Sequence, residues 1–173
     1  MIRTRGLALL AALGSASFAN AQTPSATISA DAVVVTIGMS FDAVGNLTAG
    51  PVVKGVPTLI QPTDANAAAV MVTGNPNAYV LITFTLPTVL TNTQALPGSA
   101  IPITFNAVSA RWNRRDNDPA AGTPFDPAIG AQGRFGPPAS PTMFVWLGST
   151  INPPPDAKPG IYQSTVVISL SYP

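Results

Sequence analysis

The sequence predicts an all-β protein, a single β-sandwich of about seven or eight strands, and three observations carry that prediction. Of 173 residues 46% are hydrophobic and only 9% charged, yet 19 are proline and 14 glycine, so apolar runs are cut at short intervals. Long helices do not survive such punctuation. Every acidic side chain is aspartate, which leaves no glutamate for helix N-terminal boxes or i,i+4 pairs. Apolar side chains instead recur with period two, most plainly in residues 160–172, where Tyr162, Val166, Ile168, Leu170 and Tyr172 share one face with Ser164. Gln163, Thr165, Ser169 and Ser171 take the other face, interrupted only by Val167. That alternation marks a strand with one buried and one wet face.

In chain order, Met1-Ile2-Arg3-Thr4-Arg5 is a basic start, residues 6–18 are apolar and rich in Ala and Leu, and Ala19-Asn20-Ala21 offers small residues for cleavage. Residues 1–21 therefore read as a signal peptide cut before Gln22, and the mature protein is expected outside the cytoplasm. The apolar stretch is too short for a membrane span, and no later segment approaches ~18 uninterrupted apolar residues. No membrane insertion is expected after cleavage. Loss of Arg3 and Arg5 leaves six basic side chains against seven aspartates, a formal charge of −1, which gives no electrostatic case for nucleic acid. The absence of cysteine excludes disulfides, lipid attachment through an N-terminal Cys and thiolate metal sites. Stability must come from the core, and a mature chain of this size buries roughly 70% of the surface its unfolded state exposes.

Residues 22–32 form an N-terminal arm. Ala26, Ile28, Ala30 and Ala32 fall on even positions, whereas Val33, Val35, Ile37, Met39 and Phe41 are odd. A regular strand cannot change face without a bulge or break, so the arm is set apart from a first core strand at 33–42. It fits either an edge strand of its own sandwich, a lead-in, or a segment lent to a neighbour. Further strands are expected within 52–60, at 67–73, at 79–86 with Val80, Ile82, Phe84 and Leu86 on one side, at 101–105 on odd positions, and at 144–147 as an apolar run covered on both faces. Residues 113–141, with five Pro and four Gly before Pro141, are expected as one long loop. No repeat or composition shift marks a second domain, so 33–173 is one sandwich domain, and a sequence that stops at Pro173 is expected to end stitched into a sheet.

Catalytic readings fare badly. Without His, Cys or Glu the chain lacks Ser-His-Asp, Cys-His, His-zinc and paired-glutamate arrangements, so no enzyme and no cofactor are expected. A general base would have to be an aspartate or one of two lysines, Lys54 and Lys158, neither in a Ser-x-x-Lys motif. The strongest polar cluster is 111–118. Oxygens of Asp116, Asn117, Asp118 and Asp126 are a weak Ca²⁺ candidate, off the EF-hand spacing and next to arginines that offer the carboxylates other partners. Trp112 is a candidate contact for a glycan or protein, or a side chain covering the core.

Met39-Ser40-Phe41-Asp42, Val72-Thr73-Gly74, Phe84-Thr85-Leu86-Pro87, Val145-Trp146-Leu147-Gly148 and Gly160-Ile161-Tyr162 running to Tyr172 together resemble the bacterial family known as domain of unknown function 4402. The similarity spans nearly all of the mature chain. It extends to spore coat protein U and to pilin subunits of chaperone-usher systems, although many of these carry a cysteine pair and the 4402 family commonly has Phe-Gly at Phe41-Asp42. The resemblance implies an immunoglobulin-like fold, a place in the periplasm, on the cell surface or outside a bacterium, and a structural role. It also implies assembly with itself or related subunits by strand addition, with a periplasmic chaperone as a further partner. The donor would be the arm, through Ala26, Ile28 and Ala30. A monomeric binding module using Trp112 and residues 113–141 is the other expectation.

Overall fold

A computed structural model describes residues 38–93 and 100–173. Residues 1–21, expected as a signal peptide, the arm with Ala26, Ile28 and Ala30, and Val33, Val35 and Ile37 lie outside the described residues. The described chain is all-β, with no helix. Its strands are β1 (Ser40–Gly45), β2 (Thr58–Ile60), β3 (Ala68–Thr73), β4 (Tyr79–Thr85), β5 (Val89–Asn92), β6 (Ala100–Thr104) and β7 (Ala110–Asn113). They continue as β8 (Thr123–Phe125), β9 (Ala131–Arg134), β10 (Thr142–Leu147), β11 (Ser149–Ile151), β12 (Tyr162–Gln163) and β13 (Val167–Ser171). The division is finer than seven or eight because long runs are interrupted: Gly148 parts β10 from β11, Leu86 to Thr88 part β4 from β5, and residues 164–166 part β12 from β13.

All pairings are antiparallel. One sheet runs β1-β3-β10-β7-β8, a second β13-β4-β9, and a third β12-β5-β6-β11-β2. The first two enclose the larger core. There Val72, Val80, Ile82, Ala110, Phe125, Phe135, Met143, Val145 and Leu147 are buried together. Each comes from the core-facing positions that alternation selects, as in β4, where Val80 and Ile82 are buried and Leu81 and Thr83 exposed. Phe84 stacks on Phe125 at 6.2 Å between ring centroids and ties the second sheet to β8. Strand β10 is buried on both faces as predicted, with Trp146 stacked on Phe144 on the side away from that core.

The expected loop at 113–141 is corrected by β8 and β9, which lie inside it. Pro124 is tolerated in β8 because β8 closes its sheet as an edge strand. In β9 the core position is Gly133, where a Cβ would come within 2.8 Å of Met143 Sδ and 2.9 Å of Ile82 Cδ1. Neighbouring side chains fill the space that a strand residue normally fills itself. The expected core strand at 33–42 is corrected over its described part: β1 starts at Ser40 at the edge of its sheet with all six residues exposed, Phe41 among them, because an edge strand lacks a neighbour on one side.

The closing ribbon keeps its predicted faces. Tyr162, Val166, Ile168, Leu170 and Tyr172 are half-buried, while Gln163, Ser164, Thr165, Val167, Ser169 and Ser171 are exposed. Full burial does not follow, because β12 and β13 are terminal strands of their sheets. The ribbon is anchored over long sequence distance: Asn75 N–H donates to Tyr172 Oη at 2.8 Å, and the Tyr172 ring packs on Phe135 at 6.1 Å.

Candidate functional site

The third sheet positions the site. Antiparallel register places Ile151 opposite Ile103, Leu90 opposite Ile101, and Tyr162 opposite Asn92, all on one face. Ile60 and Ser149 join them through the pairing of β2 with β11. The other face carries Leu59, Val89, Thr91, Pro102 and Thr104, all exposed. Its inner face therefore needs a cover, and Ile60, Ala67, Ile101, Ile103 and Ile151 form a second buried cluster there.

That cover is irregular rather than a sheet, and it leaves Ile101, Ile103 and Ile151 only 2–4% exposed. In place of a facing sheet stands the irregular segment after β1, whose Leu47 and Ala49 pack on the cluster and whose Thr48 N–H donates to Asn66 O at 2.9 Å. A trough of about 1250 Å³ remains over the sheet. Leu90, Ile101, Ile103 and Ile151 line it, residues 45–52 and Lys54 form one wall, and residues 157–166 form the other. Tyr162 braces the second wall by donating its hydroxyl proton to Lys158 O at 2.7 Å. Gly160, at φ 149°, lets the chain pass Asn92, whose side-chain amide a Cβ would overlap. The Gly160-Ile161-Tyr162 run thus sets where the ribbon turns into β12.

The same ribbon carries a sheet edge. Among the described residues no strand pairs with the outer side of β12 or β13, so the N–H and C=O groups that these two strands direct away from β5 and β4 have no ladder partner there. Three residues of the ribbon, 164–166, stand against five of its partner, 86–90, between the two ladders. Pro87, which has no N–H to place in a ladder, lies in that longer stretch. Val166 belongs both to the edge segment and to the trough wall. An extended segment laid along this edge would present alternate side chains to the trough while its backbone completes the ladder.

The other candidate residues are placed differently. Trp112 is half-buried, faces the larger core and sits opposite Val145 and Thr123, so its ring is a packing element. Arg111 donates through one guanidinium nitrogen to the carbonyls of Pro119, Ala120 and Gly122 at 3.1–3.2 Å, which makes the turn after β7 a carbonyl clamp. Asp118 Oδ1 accepts from Ala120 N–H at 2.9 Å and Asp126 Oδ1 from Ala128 N–H at 2.8 Å, each closing a local turn. Among the described residues no three acidic side chains cluster as a metal site, and Asp116, Asn117, Asp118 and Asp126 are not brought together as one.

Sequence reasoning missed the trough. The alternation of Ile101 and Ile103 gave their direction, but nothing local showed that Leu90, Ile151 and the residue 45–52 segment converge on them. No protein-family model matches the chain, and no curated protein matches it.

Proposed function

We propose that this protein is an exported, non-enzymatic structural or cell-surface subunit, pilin-like or coat-like, that assembles by β-strand addition. The observation that carries the reading is that, among the described residues, no strand pairs with the outer edge of β12 and β13, which runs beside a trough floored by Leu90, Ile101, Ile103 and Ile151. Main-chain hydrogen bonds along the edge supply affinity, and side chains entering the trough supply specificity. The resemblance to the 4402 family and to chaperone-usher pilins points the same way. The donor is the N-terminal arm of another copy or a related subunit, through Ala26, Ile28 and Ala30. Burial of Ile28 contributes about 1.5–3 kcal/mol, and the alanines less. During export a periplasmic chaperone covers the edge.

The test is the oligomeric state of the mature chain from Gln22. Multimers that resist SDS and vanish when residues 22–32 are deleted support assembly by the arm. A monomer at all concentrations, unchanged by the deletion, refutes it. The competing reading of a monomeric glycan- or protein-binding module has less behind it, since Trp112 covers the core and residues 113–141 are knitted into two sheets by β8 and β9.

A further inference from the structure

The trough has a charge signature that strand addition alone does not require. Lys54 and Lys158 are the only lysines in the chain, and both line it. No aspartate is among the described lining residues. The two lysines sit on turns that pack together: Gly55 N–H donates to Pro153 O at 2.9 Å, a Cβ on Gly55 would touch Pro155, and Ala157 N–H closes the next turn on Pro154 O at 3.0 Å. Asp156, exposed on the second turn, does not line the trough. One stretch of a rim whose other described lining residues are uncharged is therefore cationic.

We propose that Lys54 and Lys158 select the occupant by its charge: the trough takes the arm of a second copy of this chain, with Asp31 docked at the lysine-bearing rim. The inference rests on the strand-addition reading. Its second support is the composition of the arm, because Asp31 is the only charged residue between Gln22 and Phe41. A single side-chain carboxylate among residues 22–41 meets the cationic stretch of a trough whose other described lining residues are uncharged. Apolar side chains set whether a strand binds, and this pair sets how far along the edge it slides before it stops, which period-two packing leaves degenerate.

Charge swaps in the full mature chain test the pairing. Asp31→Lys alone and the double variant Lys54→Asp/Lys158→Asp alone each weaken self-association about tenfold at low salt, since each turns attraction into repulsion along a solvent-accessible rim. Mixed one to one, the two variants regain wild-type multimers, because each arm then finds a trough of opposite sign. The melting temperatures of both monomers stay at the wild-type value, the substituted lysines being exposed. Three results are decisive against the proposal. Multimers undiminished by the swaps overturn charge selection and leave strand addition standing. Loss of assembly that mixing does not rescue overturns the pairing with Asp31. A wild-type chain that stays monomeric removes the strand-addition reading itself.

Discussion

Gly148→Ala is the sharpest test of how the chain builds both cores. Gly148 stands where the strand leaves the β10 ladder and enters that of β11, so Leu147 on one side serves the larger core and Ile151 on the other serves the trough. It is buried, and its N–H donates to Ser109 O at 2.8 Å. A Cβ there would overlap the carbonyl oxygen of Ile60 and lie 2.9 Å from Gln61 C and Pro62 N. These obstacles are backbone atoms of the turn after β2, which cannot rotate aside as a side-chain tip would. Overpacking ordinarily costs about 1–3 kcal/mol, and rigid neighbours place this substitution at about 3 kcal/mol. For a domain of this size each kcal/mol lowers the melting temperature by about 2–4 °C, so the drop is about 6–12 °C. The assay is a urea and a thermal unfolding curve, with Gly38→Ala as control, because a Cβ at Gly38 meets nothing within 4 Å. A Gly148→Ala protein within about 0.5 kcal/mol of wild type, the scatter of ordinary surface changes, refutes the account of this corner.

Three further outcomes follow from the same structure. Tyr172→Phe removes the acceptor of the Asn75 N–H and lowers stability by about 1 kcal/mol in urea unfolding, with no change in the far-UV spectrum. Ser149→Ala is neutral or stabilising by up to about 1 kcal/mol, because the buried Ser149 hydroxyl has no hydrogen-bond partner; a loss above about 1 kcal/mol in the same assay contradicts this. Truncation after Gly160 strips half-buried Val166, Ile168 and Leu170, about 2–5 kcal/mol of apolar contact, and bares β4 and β5 as new edges. A truncated protein that still melts cooperatively would show the ribbon to be dispensable.

Strands whose own side chains fill the core were legible. Val80 and Ile82 in β4, Ile101 and Ile103 in β6, and the run through Val145 and Leu147 in β10 announce their faces because each buried position carries a large apolar residue. β9 was not legible, because Gly133 leaves its core position to Met143 and Ile82. β7 was hidden in a polar cluster. Arg111 and Asn113 lie on its outer face, where Arg111 reaches the turn carbonyls, and only Ala110 and Trp112 face the core. Lys54 and Lys158 were weighed as bases on the strength of their chemistry. What the structure adds is their position: turns about a hundred residues apart in sequence are joined where Gly55 N–H donates to Pro153 O. Long-range pairing of this kind leaves no local trace in a sequence.

Among the described residues the outer edge of the closing ribbon has no strand partner, and the ribbon's composition bears on that. Proteins blunt an exposed edge with charges, prolines or bulges, since a bare row of N–H and C=O groups recruits other strands. Residues 160–172 carry no charged side chain and no proline. The offset at 164–166 is a single irregularity, and on either side of it the ladder is regular. The nearest lysine, Lys158, lies one turn before the ribbon and lines the trough. Among the described residues this edge carries one irregularity and no charge, and the trough beside it has Lys54 and Lys158 as its charged lining residues.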